Sequence, residues 1–138
     1  MIAEMLGVPM EDRHKLFEWS NRMIGAEDPE YQVDESLVQQ AQIEMFMYAN
    51  ELAAKRRGAP RDGQRRVTVC DKANILRSYA FFRAVCEEVA REHEDVEIDY
   101  AYADAMTVHL VKRPDFYDVI VAENMFGDII SDLGAATI

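Results

Sequence analysis

The second half of this 138-residue chain contains one lysine and three aspartates, Lys72, Asp104, Asp128 and Asp132, whose side chains can bind a metal ion or transfer a proton. Asp128 and Asp132 are four residues apart, so a helix would hold both carboxylates on one face, about 5–6 Å apart at Cβ. Such a face can bind a hard divalent cation through oxygen. By itself the pair is more typical of a solvated helix face, and Asp128 can instead favour a helix N-terminus.

The composition is that of a globular chain with an acidic surface. Hydrophobic residues make up 49% and charged residues 30% of the sequence, as in ordinary folded domains. The net charge of −11 argues against a nucleic-acid partner and against binding to an anionic membrane surface. We find no signal-peptide pattern and no apolar run near the ~18 residues of a membrane span. Cys70 and Cys86 form no Cys-x-x-Cys pair, so two free thiols in a reducing cytoplasm are expected.

Helical periodicity dominates the chain as far as residue 57. Apolar residues between 11 and 24 predict one helix, which the Asp28-Pro29 step follows. A longer helix is predicted over 34–57, and its apolar side is expected to hold Leu37, Val38, Ala41, Met45, Tyr48, Ala49 and Leu52. Breakers in 58–64 then predict a turn and a boundary. The chain is therefore expected to divide into a helical segment, 1–62, and a second segment, 63–138.

After this boundary the pattern changes to strands that alternate with helices. The predicted strands are 67–70, 96–102 and 117–122, and the predicted helices are 75–93, 105–111 and 124 onward. The first of these helices is expected to bury Ile75, Leu76, Phe82, Val85, Cys86 and Val89. Alternation of this kind favours parallel βαβ units. The predicted fold class is an α/β C-terminal part preceded by an all-α helical segment.

Four ordered motifs in the second half resemble the isopropylmalate/isocitrate dehydrogenases. They are Val67–Leu76, Asp104–Val111, Asp118–Val121 and Asn124–Leu133, and the resemblance covers about residues 65–138. It implies a decarboxylating enzyme that uses a nicotinamide cofactor, NAD or NADP, together with magnesium or manganese. In such chemistry the metal acts as a Lewis acid while a hydroxy acid is oxidised and loses carbon dioxide.

The resemblance also implies a role for each candidate residue. Asp128 and Asp132 resemble metal ligands from one subunit, and Asp104 resembles the third carboxylate, which a partner subunit provides. Lys72, also from the partner, resembles the residue that transfers a proton at the substrate hydroxyl. Asn74 resembles a neighbouring polar contact to substrate or cofactor.

A homodimer follows from the same resemblance, through the helices at 104–111 and 124–137. The family's nucleotide-side segment, substrate-carboxylate arginines and catalytic tyrosine lie outside the matched motifs, and no cofactor-binding residue is assigned. We therefore expect a truncated, inactive relative of these dehydrogenases that retains metal binding and dimerisation. The alternative is a non-catalytic natural or engineered chimera without ligand binding.

The first half resembles a different family. Residues 2–62 are similar to the bacterial cytochromes P-450, which are haem-thiolate monooxygenases, in Ile2–Pro9, Glu11–Arg13, Leu16–Gly25, Asp28–Tyr31 and Ala53–Asp62. No haem is expected, because Cys70 and Cys86 lie outside these stretches and lack the glycine-rich flanks of a haem-ligating loop. This half is then predicted to be an amphipathic helical hairpin.

Overall fold

The computed structural model describes residues 34–137, and its first element is helix α1, Glu35–Lys55. Asp34 begins this helix as its N-cap, and its carboxylate accepts the backbone N–H of Ser36 at 2.8 Å. That bond satisfies a donor that the first helical turn leaves free. The helix predicted over 11–24 lies outside the described residues, as does most of the stretch that resembles cytochromes P-450.

Strands and helices alternate after α1. They are β1 Arg66–Asp71, α2 Arg77–Ala90, β2 Glu97–Tyr102, α3 Ala103–Lys112, β3 Val119–Ala122 and α4 Asn124–Ala136, with a 3₁₀ turn at Pro114–Phe116 before β3. The sheet order is β2-β1-β3, and β1 pairs in parallel with both neighbours. The predicted α/β class is therefore confirmed. Within residues 34–137, no helix is both long and apolar enough to cross a membrane.

The sheet separates two apolar layers, because successive residues of a strand face opposite sides. Val69 packs with Phe46 of α1 and Phe82 of α2 on one side. Cys70 packs with Met106 of α3 on the other side. All six residues of β1 are buried, as expected for the central strand of a parallel sheet covered by helices on both faces.

The buried face of α1 differs from the predicted one. The structure buries Gln42, Phe46, Ala49, Asn50 and Ala53. From the predicted side only Ala49 is fully buried, whereas Leu37 and Tyr48 are each 68% exposed. Hydrogen bonds satisfy the NH2 groups of the two buried amides: Gln42 donates to Glu123 at 2.7 Å, and Asn50 donates to the carbonyl of Phe46 at 2.8 Å.

Helix α2 begins two residues later than predicted. The amides of Ile75 and Leu76 donate to the carbonyl of Lys72 at 3.0 and 2.9 Å, which makes a turn before the helix. Ile75 and Leu76 are therefore exposed, and their predicted burial was wrong. The rest of the predicted side is buried, and Cys86 lies within it as a free thiol, like Cys70. Burial raises the pKa of Cys70 to about 12.

The predicted boundary at 58–64 forms a turn. Ion pairs connect this part of the chain to residues near β3. Gly58 and Gly63 have φ angles of 87° and 70°, which favour glycine, and a Cβ on Gly58 would collide with the Gly63 carbonyl. Arg56 donates to Asp118 at 2.6 Å, and Arg61 donates to both oxygens of Asp115 at 3.1 and 3.0 Å. The division into two segments at residue 62 stays a prediction.

Phe46→Ala should lower the free energy of unfolding by about 3–5 kcal/mol, because Phe46 is 0% exposed between α1 and the sheet. Leu37→Ala, on the exposed side of the same helix, should change it by less than about 0.5 kcal/mol. Urea unfolding followed by circular dichroism measures both. Equal losses in the two variants would contradict the observed packing face.

Candidate functional site

The carboxyl ends of the three strands meet at one edge of the sheet, and each is followed by a predicted site residue. Lys72 follows β1, Asp104 lies in the first turn of α3 after β2, and α4 with Asp128 and Asp132 follows β3. The chain runs from β1 to one neighbour and then crosses to the other. Open α/β sheets bind ligands outside the carboxyl ends of their strands, at such a switch in direction.

Lys72 and Asp104 form an ion pair at this edge. The ammonium Nζ of Lys72 donates to Oδ1 of Asp104 at 2.6 Å, and the two side chains are 17% and 72% exposed. The hydrogen bond from Lys72 lowers the pKa of Asp104 below its ordinary value of 3.8. The N-terminal end of α3 also favours an anion. Asp104 is therefore an ionised carboxylate that the structure keeps accessible.

A cavity of about 240 Å³ lies beside this pair. Its lining residues come from the end of β1, from α3 and from α4: Lys72, Ala103, Asp104, Thr107, Phe126, Ile129 and Ile130. Helix α4 thus presents apolar side chains, not carboxylates, to the ion pair of its own chain. The arrangement places one cation and one anion at the rim of a mostly apolar pocket.

Asp128 and Asp132 lie on the outward face of α4, and both are exposed. Ile130, which lies between them in sequence, is buried against α3. Two large apolar residues share the outward face, Met125 at 54% and Ile129 at 52% exposure. The two carboxylates are neighbours one helical turn apart, as the sequence predicted.

The structure does not bring all three predicted metal ligands together in one chain. Among residues 34–137, no group of three His, Cys, Asp or Glu side chains is placed to hold a metal ion. Asp104 faces Lys72, whereas Asp128 and Asp132 face outward on α4. The donor chemistry of the separate parts nevertheless fits magnesium or manganese, because every donor is a carboxylate oxygen and Asp128 and Asp132 are accessible as a pair.

Helix α3 repeats the combination of acid and exposed apolar residues. Asp104, Val108 and Val111 are spaced by four and three residues, which puts them on one helix face. All three are exposed, while Met106 and Leu110 on the other side of α3 are buried. The predicted polar contact Asn74 lies apart from this face, exposed in the turn after β1.

Sequence reasoning missed a buried ion pair next to the site. Asp71, the last residue of β1, is 0% exposed and accepts two hydrogen bonds from Arg83 of α2, at 2.5 and 2.9 Å. A signal was available, because Arg83 interrupts the apolar run Tyr79–Cys86, and a buried charge requires a partner. The partner itself could not be read from the spacing.

The family model that describes isocitrate/isopropylmalate dehydrogenases matches residues 16–138. The 3-isopropylmalate dehydrogenase of Carboxydothermus hydrogenoformans is 46% identical over 85 residues, which are 62% of this chain and 21% of that protein. The 3-isopropylmalate dehydrogenase of Listeria monocytogenes is 41% identical over 106 residues, which are 76% of this chain and 28% of that protein. The resemblance of residues 2–62 to cytochromes P-450 is not shown, and the dehydrogenase match begins inside that stretch.

Solved dehydrogenase structures also match this chain. The isocitrate dehydrogenase from Methylococcus capsulatus superposes with a TM-score of 0.64 and 35% identity, over 72% of this chain and 28% of that one. A beta-decarboxylating dehydrogenase from Thermococcus kodakarensis gives a TM-score of 0.61 and 36% identity, over 72% and 27%. The chain spans less than a third of the length of each of these relatives.

Lys72→Met should raise the pKa of Asp104 toward 3.8, because it removes the hydrogen bond that lowers it. Since the folded pKa is the depressed one, the pair stabilises the fold above the unfolded pKa, and this contribution is lost as the pH falls through the folded value. Carboxyl ¹³C NMR titration measures the change. Lys112→Met, at the other end of α3, is the control and should leave the pKa of Asp104 unchanged. If Lys72→Met also leaves the pKa of Asp104 unchanged, the ion pair is contradicted.

Proposed function

The chain belongs to the isocitrate/isopropylmalate dehydrogenase family, and on that premise we propose that it carries the metal-binding and proton-transfer residues of a decarboxylating hydroxy-acid dehydrogenase. The proposed reaction oxidises the hydroxyl group of a hydroxy acid and releases carbon dioxide, with NAD or NADP as hydride acceptor. The chain spans between a fifth and a third of the length of its curated relatives, at 21% and 28%. We propose that metal binding and dimerisation are retained by this chain.

The observation that carries the proposal is the division of the acidic residues between two exposed faces. Asp104 lies on the outward face of α3, and Asp128 with Asp132 lies on the outward face of α4. Among the described residues, 34–137, no other His, Cys, Asp or Glu side chain completes either face as a metal site. A second copy related by a two-fold axis would bring Asp104 of one chain to Asp128 and Asp132 of the other.

The exposed apolar residues support the same dimer. Val108 and Val111 flank Asp104 on α3, and Met125 and Ile129 flank the acids on α4. Exposed apolar side chains grouped on neighbouring helices are typical of a surface that another protein covers. Carboxylates buried together at such an interface would repel one another, so a divalent cation between them would stabilise the dimer.

The proposed site gives each residue a defined task. Asp128 and Asp132 would hold magnesium or manganese together with Asp104 of the second copy. When bound, this ion supplies Lewis-acid stabilisation of negative charge that develops on substrate oxygen atoms. Lys72, mostly buried beside Asp104, would act as a neutral amine that takes the proton from the substrate hydroxyl, and the resulting ammonium would return a proton later in the reaction. Asn74, exposed beside Lys72, would orient the substrate or cofactor through its amide.

The two buried cysteines are relevant to the cellular compartment of the chain, because free thiols persist where the environment is reducing. Cys70 and Cys86 are both free, and they lie in different elements of the core. Proteins that keep thiols reduced are typical of the cytoplasm. We propose the cytoplasm as the place where the chain acts.

Isothermal titration of the unaltered chain with manganese chloride should show binding, and Asp128→Asn should abolish the heat, because it removes a charged oxygen ligand. Glu51→Gln, which removes the same charge from the exposed surface of α1, is the matched control and should bind as the unaltered chain does. Absence of heat from the unaltered chain would contradict the proposal and favour a chimera without ligand binding.

A further inference from the structure

A buried ion pair joins the end of β1 to the middle of α2. The Nε and Nη2 atoms of Arg83 donate to the two carboxylate oxygens of Asp71 at 2.5 and 2.9 Å. The side chains are 9% and 0% exposed. Two parallel bonds between planar groups fix orientation as well as distance. Buried pairs of this kind are weak evidence for stability, because desolvation opposes the attraction, so a role in positioning is worth seeking.

The Asp71 carboxylate also holds the backbone on the far side of Lys72. Its Oδ1 atom accepts the backbone N–H of Ala73 at 2.9 Å. Asp71 itself faces α2, whereas Lys72 pairs with Asp104 at the start of α3. The residues before and after Lys72 are therefore fixed by one buried group, which restricts the direction in which the lysine leaves the strand.

Arg83 also contacts the second element that carries the Lys72–Asp104 pair. Its guanidinium carbon is 5.0 Å from the ring centroids of both Tyr100 and Tyr102 on β2. Tyr102 is the N-cap of α3, two residues before Asp104, and its ring centroid is 5.7 Å from Nζ of Lys72. Distances below about 6 Å allow cation–π attraction. Arg83 thus touches the ends of both β1 and β2.

We propose that Arg83 is a positioning residue for Lys72, acting through Asp71 on the β1 side and through Tyr102 on the β2 side. Arg83 does not touch the Lys72–Asp104 pair itself; it fixes the two strand ends from which that pair is built. The inference rests on the proposed function for the purpose of Lys72, proton transfer at the substrate. The geometry that supports it is independent of any metal ion.

The test compares Arg83→Met and Arg83→Lys with a matched control, Arg66→Met. Arg66 is also a buried guanidinium, with 3% side-chain exposure, and it pairs with Asp62 and Glu97 at the other end of β1. Arg83→Lys keeps the charge and loses the two-pronged geometry. The measurement is ¹H–¹⁵N NMR of the Lys72 ammonium group in the 138-residue chain without metal, together with the midpoint of thermal unfolding.

Arg83→Met should speed the exchange of the Lys72 ammonium protons with water by roughly tenfold, which is the upper range for loss of one hydrogen bond. Arg83→Lys should increase this exchange rate by a smaller factor. Arg66→Met should lower the midpoint of thermal unfolding but leave the exchange rate of the Lys72 ammonium protons unchanged. If Arg83→Met does not fold, Arg83→Lys decides. Unchanged Lys72 signals in the folded Arg83 variants, or an equal change in Arg66→Met, would overturn the inference. Because no metal is added, a failed manganese titration and a failed positioning test remain separate results.

Discussion

The parallel pairing of β1 with both of its neighbours is the constraint on which the candidate site depends. Asp71 pairs with Tyr102 on one side, and Cys70 pairs with Ala122 on the other, so all three strands end at the same edge. Only this register places Lys72 beside the first turn of α3 while Asp71 faces α2. A slip of one residue would exchange the two faces of β1 and bury the lysine where the aspartate now lies.

Charge favours completion of the proposed metal site by two copies of the chain, since residues 34–137 of one copy do not complete it. Asp104 is neutralised locally by Lys72, but Asp128 and Asp132 stand together on α4 in a chain of net charge −11. Two carboxylates one turn apart disfavour each other unless a cation is shared between them. Their exposed apolar neighbours also leave surface that water solvates poorly. Metal binding and association of two copies would remove both costs at the same surface.

The sequence predicted the features that depend on local spacing. The Asp128–Asp132 pair lies on one helix face, and the strands alternate with helices as the apolar pattern indicated. The buried side of α1 was predicted only in part: Ala49 is buried as expected, but the burial of Gln42 depends on a bond to Glu123, which is 81 residues away. The pairing of Asp71 with Arg83 was missed for the same reason, since it forms only when α2 folds back onto the strand.

Subunit complementation tests most directly whether one metal site is shared between two copies. Asp104→Asn and the double variant Asp128→Asn/Asp132→Asn should each bind no manganese when alone. A mixed dimer of the two contains one complete set of three carboxylates, so mixing the unfolded variants and refolding them together should restore manganese binding. A mixture as inert as its components, or full binding by Asp104→Asn alone, would contradict a site shared across the two-fold axis.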